Sequence, residues 1–300
     1  MSMEVWQAAV LGVIQGLSEF LPISSTGHLI IGERLMGISS TGLLLEILLH
    51  VGTLAAVLTV FWRDIFNILR HPIKDKRLLM LVIATIPAVA ATLLFKEQLE
   101  AIFDADWFLG FSFLLTAAFL LIGEAIFSKR ESALRQEKKA ARRRKTADDI
   151  AYKHAIAMGV MQSIAILPGV SRSGATIVGG VSTGLTRESA AKFSFLMSAI
   201  AILGSLVFKI KDLLIYLGYI SEGPTGGILQ EAGETVFQTG WEAPAAGVLA
   251  AAVTGYLAIR FMLKLLRTKS LKPFAVYVTI IGVLILIDQL FVGKFFSPLF

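Results

Sequence analysis

Two short stretches carry most of the side chains able to do chemistry in this otherwise apolar chain. The first, EFLPISSTGH from Glu19 to His28, sets a carboxylate ahead of Ser24, Ser25, Thr26 and His28; the second, SRSG, offers Ser171, Arg172, Ser173 and Gly174. The serines and Thr26 are hydroxyl donors, and Gly27 and Gly174 let backbone N–H groups approach a ligand closely. A helix beginning just after each motif would aim its positive dipole end at the same spot. With the Arg172 guanidinium added, the set suits an anion carrying several oxygens, such as phosphate. His28 follows Ser25 by three residues, so on a helical turn it is expected to share a face with the serine and to serve in proton transfer or phosphate contact. The plainer alternative is a buried Glu19–Arg172 pair that only holds two parts of the fold together.

The setting of these residues is set by composition. The chain has 300 residues, 55% of them hydrophobic and 17% charged, and a net charge of +6; its mean hydropathy is +0.74. That is more apolar surface than a soluble domain of this length can hide, so the chain reads as an integral membrane protein. Without cysteine it has no disulfide, thiolate metal site or thiol nucleophile. No Lys or Arg precedes Arg34, so a cleaved signal peptide is not expected.

Spans need about 20 mostly apolar residues, and six stretches qualify: roughly 42–62, 78–95, 105–127, 190–208, 244–263 and 274–292. Basic residues gather between them at 63–77, 129–145 and 264–272, whereas 97–106 and 221–242 are acid-rich. The positive-inside rule then places the three basic loops in the cytoplasm. A nucleic-acid partner is discounted, because these basic runs adjoin spans and anionic headgroups. Segments 1–41 and 150–187 are interrupted by Pro and Gly, and broken backbone at membrane depth survives only when protein or a water-filled cavity surrounds it. Both are expected to be re-entrant hairpins.

The chain also contains itself twice. GVIQGLSEFLPISSTG (Gly12 to Gly27) and GVMQSIAILPGVSRSG (Gly159 to Gly174) align, with Gln15 and Gln162, and Gly27 and Gly174, each 147 positions apart. Each copy is a broken motif followed by three spans, and an odd number of spans leaves the halves oppositely oriented. The fold expected is therefore all-α, an integral membrane inverted-topology repeat of six full transmembrane helices and two re-entrant hairpins. It forms one membrane domain over 1–300: repeat 1 at about 1–128, a basic cytoplasmic loop at 129–149 and repeat 2 at about 150–300. Gln15, Ser24, Thr26, Gly27, Gln162, Ser171, Ser173 and Gly174 are the phosphate-binding candidates around the catalytic candidates Glu19, Ser25, His28 and Arg172.

An apolar setting suggests that the phosphate arrives on a lipid. Attack by a serine held by a base, with Arg172 neutralising the phosphoryl group, and attack by water activated by Glu19 are both open on spacing alone. At QGLSEFLPISSTGH and ILPGVSRSGATIVGG the chain closely resembles the undecaprenyl-diphosphate phosphatases of the bacitracin-resistance type, over nearly its whole length. The resemblance implies hydrolysis of a C55 polyprenyl diphosphate to its monophosphate for reuse as the cell-wall lipid carrier, in the bacterial cytoplasmic membrane, from a site opening to the outer face. It places the family's first motif on Gln15 and Glu19, its serine on Ser25, its histidine on His28 and its arginine on Arg172. It also implies a divalent cation, Mg or Ca, held largely by the diphosphate, with Glu19 as the candidate protein ligand. Gln15 departs from the Glu that many members carry, which weakens a bridging metal site.

Other features have plainer readings. Glu46 and His50, four apart, could share a helix face; two metal ligands are too few, and a polar contact to the hairpins is the better expectation. Gly180 and Gly184 have the G-x-x-x-G spacing, read as packing within the fold, with a homodimer face as the alternative. A polyprenyl-phosphate flippase could use the same inverted repeats. The other class of membrane lipid phosphatase is set aside, because Val178 stands where its histidine nucleophile would follow Arg172 and no Arg-Pro dipeptide occurs.

Overall fold

The computed structural model describes residues 3–38, 42–72, 74–103, 107–136, 150–216 and 240–296. They fold as helices: α1 (Val5–Phe20), α2 (Ser25–Leu35), α3 (Gly42–Val60), α4 (Trp62–Arg70), α5 (Lys76–Leu94), α6 (Lys96–Phe103), α7 (Phe108–Gln136), α8 (Tyr152–Ile164), α9 (Arg172–Thr183), α10 (Arg187–Tyr216), α11 (Glu242–Thr268) and α12 (Lys272–Ile287). A short π-helical turn, Asp288–Val292, ends the described chain's helical part.

Among the described residues α5, α7, α10, α11, and α12 together with the π-helical turn that continues it, provide five segments long and apolar enough to cross a membrane. The sixth expected span is a bent one: Leu44–Val60 meets α4 at 78° across Phe61. Past that bend the apolar pattern changes. Trp62, Phe66 and Leu69 are exposed along one face of α4, while Arg63, Asp64, Asn67 and Arg70 take the other positions, the distribution of a helix lying along an interface. Large apolar side chains such as Leu93, Leu94, Val207, Leu249 and Leu257 are exposed, a surface suited to lipid and not to water. The protein is an all-α, multi-pass membrane protein.

The two interrupted segments form helical hairpins, α1–α2 and α8–α9, and the first helix of each packs on a helix of the other half of the chain. α1 lies along α11, and α8 lies along α5. Glycines at corresponding positions allow both approaches: a Cβ on Gly12 would stand 2.2 Å from the Gly247 carbonyl oxygen, and one on Gly159 2.5 Å from that of Ala84. No real Cβ tolerates such a distance, so these contacts require hydrogen in place of a side chain. α7 and α10 flank α9, and α12 lies along α7. The Gly180–Gly184 pair also serves the fold itself. Gly180 abuts Ala190 and Met158, and Gly184, at φ 116°, ends α9 in a left-handed C-cap.

One end of the bundle is laced by charge. Arg77 pairs with Asp64 (2.9 Å) and Asp75 (2.7 Å), and Lys192 reaches Asp64 at 3.8 Å. Arg187 pairs with Glu124 at 2.5 Å, donates to the Lys269 carbonyl and covers the Phe127 ring at 3.7 Å. Arg267 pairs with Glu188. These contacts bring the α4–α5 connection, the C-terminal part of α7, the start of α10 and the α11–α12 junction together. The first and third basic loops read from the sequence, and the part of α7 that leads into the second, thus adjoin one end of the bundle; residues 137–149 of the second loop, and most of the acid-rich 221–242 segment, lie outside the described residues.

Candidate active site at the hairpin tips

Each hairpin turns into its second helix in the same way. α1 ends at Phe20, and Leu21–Pro22–Ile23 lead to Ser24, whose φ of 74° is the one positive value among described non-glycine residues. Its hydroxyl caps α2 by accepting the Gly27 N–H at 3.3 Å. In the second hairpin Gly169 (φ 82°) turns the chain, and the Ser171 hydroxyl caps α9 by accepting the Gly174 N–H at 3.1 Å. Both serines stand three residues before a glycine, and both satisfy one of the orphan donors that a helix start leaves.

The first residue of α2 is Ser25 and the first of α9 is Arg172; the two converge on Glu19. Ser25 Oγ donates to Glu19 Oε2 at 2.6 Å, Gln15 Nε2 donates to the same oxygen at 3.2 Å, and Arg172 Nη2 binds Oε1. The Glu19 side chain is only 4% exposed and that of Arg172 22%, so the carboxylate is buried with three donors while the guanidinium keeps an open edge. Arg172 also points Nη1 at the Ser198 carbonyl, 3.5 Å away. The hairpins touch directly as well: Ser173 Oγ donates to the Leu21 carbonyl at 3.0 Å, and Ser171 and Ser173 share a hydrogen bond at 3.2 Å. Behind Glu19, Phe20 meets Phe195 edge-on at 5.5 Å, fixing the end of α1 against α10.

A cavity of about 210 Å³ opens beside this junction, lined by Ser18, Glu19, Ser24, Ser25, Thr26, Pro168, Ser171 and Arg172, with His50 from α3 and Ser205 from α10. Two helix starts meet at it, each with first-turn N–H groups that have no intrahelical acceptor. A guanidinium, hydroxyls and such N–H groups around one space have the chemistry to hold a phosphoryl group, and the Ser25–Glu19 contact adds a hydroxyl already hydrogen-bonded to a base.

Of the residues singled out in the sequence, Glu19, Ser24, Ser25, Thr26, Ser171 and Arg172 line the cavity, and Gln15 supports Glu19 from one turn below. Ser173 and Gly174 join and cap the hairpins. Gly27 faces α7, where a Cβ would stand 2.6 Å from the Phe113 ring. Gln162 is buried and outside the cavity lining. His28 is outside it too: its ring sits edge-on to Phe113 at 5.3 Å and stacks on Tyr277 at 5.6 Å. Three residues of helix do not quite complete a turn, and with Ser25 facing Glu19 that residual rotation carries His28 toward α7 and α12. Two lining residues had weaker signals. Ser18 lies inside the first motif, directly before Glu19, with no role read for it from the sequence, and His50 entered only through its spacing from Glu46; its Nδ1 bonds the Glu46 carbonyl at 2.8 Å.

For a divalent cation the donor set is small. Among the described residues no three His, Asp or Glu side chains gather as a metal site. Glu19 is engaged by three donors, and the amide oxygen of its neighbour Gln15, Oε1, is buried with no hydrogen-bond partner.

Residues 8–284 match the family described as bacitracin resistance protein BacA. Undecaprenyl-diphosphatase 4 of Bacillus cereus (strain ZK / E33L) is 39% identical over 283 residues, 94% of this chain and 96% of that protein. Undecaprenyl-diphosphatase of Carboxydothermus hydrogenoformans is 38% identical over 98% of this chain and 100% of its own length, and that of Methanosphaera stadtmanae 35% over 95% and 98%.

Proposed function

Since this chain belongs to the bacitracin resistance protein BacA family, we propose that it hydrolyses undecaprenyl diphosphate to undecaprenyl phosphate and inorganic phosphate, returning the lipid carrier of cell-wall synthesis to use. The observation that carries this reading is the meeting of Ser25 and Arg172 on the two oxygens of one buried carboxylate, Glu19, at the edge of a polar cavity inside an apolar bundle.

In the proposed reaction the terminal phosphoryl group lies against Arg172 and the first turns of α2 and α9. Ser25 Oγ attacks the terminal phosphorus as its proton passes to Glu19 Oε2. The Oγ–P bond forms, the bond from phosphorus to the bridging oxygen breaks, and undecaprenyl phosphate leaves with that electron pair. Water then attacks the phosphoserine; the Oγ–P bond breaks, Ser25 recovers the proton from Glu19, and inorganic phosphate carries away the water oxygen. Arg172 balances the charge on the equatorial oxygens in both steps. Direct attack by water deprotonated by Glu19 gives the same products without the covalent step. A Mg or Ca ion fits as the companion of the diphosphate: Glu19 and Gln15 Oε1 are the chain oxygens that would hold it, and it would supply further neutralisation of phosphate charge.

The membrane setting follows the charges. We place the ion-paired, basic end of the bundle in the cytoplasm of a bacterial cell by the positive-inside rule. Ser205 lines the cavity 13 residues beyond Lys192 on α10, roughly 20 Å along a helix, which supports a cavity opening toward the opposite, outer face. An inverted repeat accounts for the matched hairpins and the exchange of packing partners between halves.

Phosphate release from undecaprenyl diphosphate by the purified, detergent-solubilised protein tests the proposal. A polyprenyl-phosphate flippase releases none, so absence of phosphate release with lipid movement intact in vesicles would replace hydrolysis by transport.

A further inference from the structure

We propose that His28 and Tyr277 are positioning residues, which act on the phosphate only through the left-handed peptide at Ser24. The inference rests on the phosphatase reading above and assigns a part in it to α12, which contributes nothing to the cavity lining.

The hydrogen bonds fix a direction. His28 Nδ1 lies 2.7 Å from the Ser24 carbonyl oxygen, and Nε2 lies 2.9 Å from the Tyr277 hydroxyl. A carbonyl only accepts, so Nδ1 carries the proton; in the neutral ring Nε2 is then the acceptor, and Tyr277 O–H donates to it. The line therefore runs from Tyr277 O–H to His28, and from His28 Nδ1–H to the Ser24 carbonyl. Both ring nitrogens are used, and neither lies on the cavity. The ring is also held by stacking on Tyr277 and by the edge of Phe113.

The peptide so held is the one that needs holding. Ser24 takes φ 74° and ψ 110°, a conformation that an L-residue with a side chain rarely adopts and keeps only when its surroundings dictate it. Ser24 Oγ caps α2, the next residue is Ser25, and both line the cavity. A small rotation of the Ser24 peptide would move Ser25 Oγ from its 2.6 Å contact with Glu19. Tyr277 and His28 thus set the attack geometry of Ser25 from behind.

Asparagine separates positioning from chemistry, because its amide nitrogen occupies the place of Nδ1 and can donate to the Ser24 carbonyl, yet it has no basic nitrogen. Phenylalanine keeps the ring packing and lacks the donor. In detergent, with undecaprenyl diphosphate, His28→Asn is expected within about tenfold of wild-type kcat, and His28→Phe down at least about a hundredfold, with KM little changed in either. Tyr277→Phe should lower kcat about fivefold, the size of one hydrogen bond. In the His28→Asn background it should cost nothing more, since no Nε2 remains to receive the hydroxyl. A wild-type protein that releases no phosphate removes the phosphatase reading and this inference with it. A working wild type whose His28→Asn variant is as inactive as His28→Phe, while both melt near the wild-type temperature, overturns the inference alone, as does an active His28→Phe or an additive Tyr277→Phe.

Discussion

Replacing Arg172 by alanine removes two things at once, and their sizes can be separated. In the resting protein Arg172 neutralises Glu19, a carboxylate with 4% of its side chain exposed. Taking one partner from a buried ion pair typically costs about 3–5 kcal/mol, because the remaining charge stays desolvated. Ser25 and Gln15 still donate to Glu19, and the Arg172 side chain itself is 22% exposed to the cavity, so the lower end, about 3 kcal/mol, is the expected loss of stability. In the proposed reaction Arg172 is the cation facing the transferred phosphoryl group, and loss of such a contact lowers kcat by about 10²–10³-fold or about 3–4 kcal/mol. The double variant Glu19→Gln with Arg172→Met distinguishes the two, since it leaves no buried charge. Its melting temperature in detergent should return close to that of the wild type, while phosphate release from undecaprenyl diphosphate, assayed below the unfolding transition of each variant, should stay at the level of Arg172→Ala or lower. Turnover by folded Arg172→Ala within tenfold of wild type, or recovery of turnover in the double variant, refutes the assignment of Arg172 to the transferred group.

Three further outcomes are expected. Ser25→Ala should abolish phosphate release to below a thousandth of wild type if the serine attacks, measured as inorganic phosphate formed; activity retained within tenfold assigns the attack to water and leaves Ser25 as a ligand. Arg187→Ala strands the buried Glu124, which also accepts the Leu271 N–H at 3.1 Å, and should lower stability by about 3 kcal/mol while the folded fraction keeps near-normal turnover, because no part of that cluster lines the cavity. Gly12→Ala and Gly159→Ala each push a methyl into a backbone oxygen of the other half and should cost about 1–3 kcal/mol in thermal unfolding, with the larger loss at Gly12, where the clash is closer.

Most of the scaffold was legible because a membrane asks one simple thing of a sequence. Long apolar windows bounded by charge gave the spans 78–95 and 244–263, found as Lys76–Leu94 and Glu242–Thr268. The window at 42–62 is filled by α3, Gly42–Val60; the 78° bend at Phe61 comes at its end, where Arg63, Asp64 and Asn67 make the pattern amphipathic. Hydropathy averages over that change, so α4 was not visible as a separate helix. The catalytic candidates on the hairpins were legible by type, since a carboxylate, an arginine and clustered hydroxyls are expensive among lipids. Their facing was not. His28 lies off the cavity because the side-chain direction at the start of α2 is fixed by the Ser24 turn, a tertiary feature without a sequence signal of its own, and His50 enters it from a helix that the motifs do not touch.

The two hairpins also indicate why one site arises from two similar motifs. Ser24 and Ser171 occupy equivalent positions and do the same work, each capping a helix through a glycine three residues on. The residues that follow them, Ser25 and Arg172, are again equivalent, and both reach Glu19. Nothing in the second motif corresponds to Glu19 itself: Ile166 stands at that offset. A second carboxylate there would bring two negative charges to one buried space with a single guanidinium between them, a cost that like charges at close range impose. The shared caps provide matched helix starts, and the differences at two positions turn them into a hydroxyl, a base and a cation around one cavity, the set the proposed reaction uses. Restoring the match, by Ile166→Glu, should therefore weaken phosphate binding, read as a higher KM for undecaprenyl diphosphate; an unchanged or lower KM would mean that the departure from symmetry at this position has no electrostatic role.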